Sequence, residues 1–212
     1  MSKSVDEQKE LIINAVLDLN QKLKALKYLL REAQDPENKI VVEIYNELLW
    51  FIHGLIWENI VINIGWLYDK NSYLRDRKKN RSLFWYLEEI KKASTSSESK
   101  VDAQLSRIDN LQAEVEKVRK LRNKWVAHKD KKFFENSAEL QKAKITIQDL
   151  EILVKTAEEI IQEHHPITDL TGSGVERIFA VIEILKHENP EFVSSMRMYG
   201  LLSYSINYTF EG

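Results

Sequence analysis

Apolar residues recur along most of this chain at steps of three and four. The first series, Leu11, Ile12, Ala15, Val16, Leu19, Leu23, Leu26, Leu29 and Leu30, has the spacing that lines one face of an α-helix. Ser4-x-x-Glu7 stands before it as a capping box, in which hydroxyl and carboxylate each satisfy a backbone N–H of the first turn. A helix is therefore expected from there to about Ala33. Asp35-Pro36 reads as an N-cap followed by proline at the first helical position. The helix it opens is expected over roughly 37–68, and its second half is apolar on most sides, as suits a helix that its neighbours wrap around.

Beyond Asp69 the text turns polar. Lys70 to Arg81 holds six Lys/Arg against Asp76 alone, which predicts an exposed loop. Leu83, Phe84, Leu87 and Ile90 predict a short helix over Ser82–Lys92, and the Ser/Thr-rich stretch Ala93–Ser99 predicts a linker. Ser99-x-x-Asp102 reads as the capping box of one long helix, with Val101, Leu105, Ile108, Leu111, Val115, Val118 and Leu121 on its apolar face. That helix is expected to run into Arg122–His128. Thr146-x-x-Asp149 and Ser173-x-x-Glu176 predict two more helices, over roughly 147–163 and 174–187. Pro190 to Gly212 alternates only weakly and yields no element. The fold expected is all-α, an antiparallel helical bundle over residues 1–165. Residues 166–212 form a C-terminal helical extension and tail packed on the same domain.

Composition narrows the chemistry. The 212 residues, 43% hydrophobic and 30% charged, suit one folded domain. Six glycines and three prolines are too few for the many turns of an all-β sandwich. The absence of cysteine removes disulfides, zinc fingers, iron–sulfur clusters and thiol catalysis, and fits a reducing cytoplasm. Leu48 to Tyr68 is apolar, but His53, Glu58, Asn59 and Asn63 inside it are costly in hydrocarbon, so a buried helix is expected rather than a membrane span. Met1–Gln8 is too polar to begin a signal peptide. His164-His165 lacks a third ligand at metal spacing and reads as charged or capping histidines at a helix end. No glycine-rich phosphate loop, nucleophile elbow or HExxH occurs. Neither metal nor cofactor is expected.

A net charge of −2 hides a lopsided layout. Eight Lys/Arg stand between Lys117 and Lys132 against Asp130 alone, whereas Phe133 to Gly212 carries six Lys/Arg and thirteen Asp/Glu. The basic run suits phosphate, and Arg119, Lys120, Lys124, Lys129, Lys131 and Lys132 are its candidate RNA contacts; a solvated helix face is the plainer account. Within it, Arg122 offers a permanent cation able to hold a phosphate bidentately. His128 offers a proton acceptor and donor near neutrality. Together these suffice to cleave RNA: a base deprotonates the 2′-OH, which attacks its own phosphate while the cation takes up phosphoryl charge. On a straight helix the two lie about 120° and 9 Å apart. Either the helix bends or ends between them, or arginine's length closes the gap, or a second subunit supplies the matching half.

The stretch Arg122-Asn123-Lys124-Trp125-Val126-Ala127-His128, late in a long helix, resembles the Arg-polar-x4–6-His signature of the HEPN superfamily. Asn63-Ile64-Gly65-Trp66-Leu67-Tyr68-Asp69-Lys70, followed by Arg81-Ser82-Leu83-Phe84-Trp85-Tyr86-Leu87, resembles the abortive-infection U-type branch. The likeness covers about 40–165. It implies a helical-bundle homodimer with two Arg/His sets in one cleft, acting as a metal-independent endoribonuclease in a prokaryotic defence or toxin–antitoxin system. By that likeness Arg122 and His128 are catalytic and Asn123 orients phosphate or histidine. Asp69 matches the branch's helix-end aspartate and supports Arg122 or His128, or else pairs with Lys70 or Arg75. RNA is the implied substrate, and an antitoxin or a nucleotidyltransferase the implied protein partner. The superfamily also holds inactive members, so a non-catalytic module binding a partner protein, nucleotide or nucleic acid is the alternative.

Overall fold

A computed structural model describes residues 4–34, 39–70, 82–93, 97–126 and 144–165. Among these, six α-helices and no strand occur. They are α1 (Val5–Gln34), α2 (Lys39–Leu67), α3 (Leu83–Ala93), α4 (Glu98–Asp109), α5 (Gln112–Leu121) and α6 (Ile147–Gln162). A π-helical turn, Arg122–Val126, continues α5 directly. The chain is all-α, a helical bundle.

Two of the predicted capping boxes are in place. At the start of α1, Ser4 N–H donates to Glu7 Oε2 (2.8 Å) and Glu7 N–H to Ser4 Oγ (3.2 Å). At the start of α6, Thr146 N–H donates to Asp149 Oδ2 (2.8 Å) and Asp149 N–H to Thr146 Oγ1 (3.1 Å). Burial tends to raise the Asp149 carboxyl pKa, but the Thr146 hydrogen bonds and the Lys117 ammonium outweigh it and hold it below its ordinary value.

The box at Ser99 is not formed. The helix begins at Glu98, one residue before Ser99, and its N-cap Ser97 makes no side-chain capping bond. Lys91, at the end of α3, draws both Glu98 (2.9 Å) and Asp102 (3.0 Å) to itself, so the Asp102 carboxylate serves an interhelical pair instead. Nor is the helix continuous. It steps at Asn110–Leu111, where Leu111 N–H reaches back only three residues to Ile108 (3.1 Å). The expected single helix is two, α4 and α5.

The core is built as the apolar periodicity requires. Ile12, Val16, Leu19 and Leu26 from α1 meet Ile60, Val61 and Ile64 from α2 and Leu150, Leu153 and Ala157 from α6, all essentially solvent-free. Polar contacts at the rim give α1 and α6 an antiparallel register: Asn20 donates to Glu158 (3.1 Å), and two helical turns further on Lys27 pairs with Glu151. Tyr68, just past α2, donates its buried hydroxyl to the Leu153 carbonyl (2.5 Å) and ties the end of α2 to α6. Lys70, the first residue of the predicted basic loop, pairs with Asp109 (3.1 Å). The rest of that loop, the Asp35-Pro36 cap, the Ser173 box, the extension 166–212 and its weakly alternating tail lie outside the described residues.

Candidate functional site around Arg122

Leu121 closes the buried face of α5 begun by Val115 and Val118. The next residue, Arg122, therefore sits at the edge of that face, beside the last turn of α2. There the backbone of α2 runs out of donors, as every helix C-terminus does. Tyr68 N–H goes to Ile64 (3.0 Å) and Asp69 N–H turns back to Trp66 (3.2 Å), which leaves the Gly65 carbonyl. Arg122 Nη1 donates to that carbonyl at 2.8 Å. A cation at this end of a helix is favourably placed against the helix dipole.

Two further contacts hold the same side chain. Asp69 Oδ2 lies 3.8 Å from Nη1, and Asn123 Oδ1 accepts from Nε at 3.1 Å. The remaining terminal nitrogen, Nη2, donates to no described residue, and the side chain keeps 24% of its surface exposed. The guanidinium is thus fixed by one edge and open at another. The π turn starts at this residue; such turns widen an α-helix locally and are frequent at functional sites.

Of the residues predicted for the site, Arg122, Asn123 and Asp69 come together. Lys124 is exposed on the π turn next to them. Arg119 makes a surface pair with Glu116 (3.3 Å), and Lys120 is half-buried. Lys117, first of the basic run, is engaged by Asp149 (3.2 Å) across to α6. His128, Lys129, Lys131 and Lys132 lie outside the described residues. Gly65, whose carbonyl anchors the arginine, carries no side chain for a motif to display. The available signal was a glycine inside a helical apolar run, a placement that weakens a helix unless something needs the space.

The His164-His165 pair belongs to a different cluster. Gln104, almost fully buried, donates from Nε2 to Glu163 (2.7 Å). Its Oε1 therefore accepts from His164 Nε2 (2.9 Å), which fixes that tautomer. Arg107 joins the same helix end through Glu163 (2.7 Å) and Glu159. Burial first, then Lys100 and His165, push the His164 pKa down against the pull of Glu163. The sequence leaves charged or capping histidines open here; the packing favours a neutral His164.

The chain is thus an all-α bundle with an anchored arginine at a π turn. The family model described as AbiU2, a HEPN family, matches residues 9–169, and the chain belongs to that family. Comparison with curated proteins and with solved structures returned no match. Among the described residues no helix is long and apolar enough to cross a membrane.

Proposed function

We propose that this chain is a HEPN endoribonuclease that cleaves RNA through attack of the substrate's own 2′-OH and needs no metal. The observation that supports it most is the state of Arg122: three neighbours hold the guanidinium while Nη2 faces no described partner. In this reading Nη2 receives the scissile phosphate. Fixed donors stabilise developing phosphoryl charge better than mobile ones, because they need no reorganisation. His128 moves the proton between the 2′-OH and the leaving oxygen. Asn123 and Asp69 act through Arg122 by holding it, and the basic run to Lys132 guides the RNA backbone. The role is that of a defence effector or toxin of a prokaryote, working in the cytoplasm under the control of an antitoxin or nucleotidyltransferase partner.

HEPN domains commonly dimerise, and this one carries a surface suited to it. Phe51, Leu55 and Ile62 on α2 are 63%, 52% and 41% exposed, and they fall within about 40° of one another around the helix. Ile62 is one turn from Gly65, so the stripe leads to the arginine. A second copy packed there brings two Arg122 side chains toward one cleft.

The decisive assay mixes purified protein, RNA and EDTA. The wild type should cut, leaving 2′,3′-cyclic phosphate ends, and a 2′-deoxy linkage at the cut site should resist. His128→Ala should lose roughly 10²–10⁴-fold in rate. Arg122→Lys keeps the charge but loses the planar fork and should be severely impaired. Cleavage of the deoxy linkage, or full activity in His128→Ala, would exclude the mechanism. The exposed stripe equally suits a non-catalytic module that binds a protein partner, and that reading takes over if no RNA is cut while both variants remain folded.

A further inference from the structure

Gly65 sits within α2, two residues before its end. A Cβ built on it would lie 2.8 Å from Arg122 Cδ, 3.3 Å from Nη1 and 3.4 Å from Nε. Those atoms belong to the segment of the arginine that is pinned at Gly65 O and at Asn123, so Cδ has no cheap way to retreat. Moving it by the half ångström or more that a methyl needs means releasing those hydrogen bonds. Gly54, eleven residues earlier on the same helix, has nothing within 4 Å of such a Cβ. Only at Gly65 is the space of the missing side chain filled by the arginine.

We infer that Gly65 is a positioning residue for Arg122: its missing side chain is the seat across which the guanidinium reaches the α2 carbonyl and is aimed at the phosphate. This rests on the ribonuclease reading for its consequence in rate, but the seat itself is a property of the fold and can be tested without RNA.

The test is a double-substitution cycle read by thermal unfolding. In a helix interior alanine is intrinsically favoured over glycine. Gly54→Ala should therefore raise Tm by about 1–4 °C for a chain of this length. Gly65→Ala should lower Tm in the wild type, since the methyl evicts the arginine. In an Arg122→Ala background the same change should raise it, by about the amount seen at Gly54. Should Gly65→Ala alone fail to fold, recovery of a folded protein on adding Arg122→Ala supports the seat, and no recovery overturns it. An equal Tm change in both backgrounds, of either sign, also overturns it.

A second arm measures cleavage. Gly65→Ala should reduce kcat by roughly 10- to 100-fold, the cost of an ångström-scale misplacement. KM should stay within about threefold, because the arginine acts on charge that appears in the transition state. Wild-type kcat in Gly65→Ala overturns the inference. If the wild type cuts no RNA, the ribonuclease reading fails, and the sign reversal in Tm still decides whether Gly65 seats Arg122.

Discussion

Arg122 uses Nη1 and Nε to fasten itself and leaves Nη2 to act. Its neighbours were legible to different degrees. Asn123 and Asp69 are polar side chains at motif positions, and the structure sets both against the guanidinium. Gly65 was not legible as part of a site, because a carbonyl acceptor has no residue identity; only the position of the arginine reveals which carbonyl is needed. The histidines at the end of α6 show the opposite failure. Their adjacency suggested charged or capping histidines at a helix terminus, whereas burial beside Tyr86 and Gln104 favours the neutral form of His164. A pH effect follows. The His164 pKa is lowered on folding, so stability is fully present above the unfolded pKa of about 6.5. It is lost as pH falls through the lower folded value. Glu163, whose Arg107 and Gln104 bonds outweigh burial and hold its pKa down, gives further loss at more acid pH, below the ordinary glutamate value. Urea midpoints should thus fall between pH 7 and 5. His164→Gln, which can still donate to Gln104, should flatten that fall while leaving the steeper loss below it. An unchanged slope in His164→Gln would place the acid sensitivity elsewhere.

Helices were the most legible part of the chain, since apolar spacing and capping boxes report on local bonds. Both α1 and α6 start at their predicted boxes and end within a residue of the expected places. What was not legible is the interruption of that periodicity. Val101, Ile108 and Val115 keep their seven-residue spacing straight through Asn110–Leu111, and no glycine or proline marks the step. No glycine or proline marks the π turn at Arg122–Val126 either; the spacing of Arg122 and His128 offers a bend there only as one of three alternatives. The false box at Ser99 failed for a long-range reason: Lys91 competes for Asp102 from another helix. These cases separate cleanly by mutation. Thr146→Ala removes a working cap and should cost about 1 kcal/mol, a Tm decrease of about 2–4 °C. Ser99→Ala removes no cap and should stay within about 0.5 kcal/mol of the wild type. Thermal unfolding of the two variants side by side distinguishes them, and equal losses would contradict the helix start at Glu98.

At the scale of the molecule, the apolar excess of the second helix divides into two uses. Ile60, Val61 and Ile64 fill the core, while Phe51, Leu55 and Ile62 face outward. Single chains seldom leave large apolar side chains aligned along one face without a partner for them. If that partner is a second copy, sedimentation at micromolar concentration should give about 50 kDa, twice the 24.9 kDa chain. Phe51→Glu with Leu55→Glu should return the protein to monomer without unfolding it and abolish RNA cleavage with it. A monomeric wild type, or a monomeric variant that still cuts, would remove the shared cleft. The seat at Gly65 carries a consequence on another timescale, that of descent. Glycine there is useful only while an arginine lies across it, and alanine is the better helix former once it does not. In lineages that abandon the arginine, selection for a stable helix should fill the hollow. Position 65 would then drift to alanine or serine after position 122 changes, and seldom before. The hollow in α2 thus acts as a record of whether the cation opposite it is still in use.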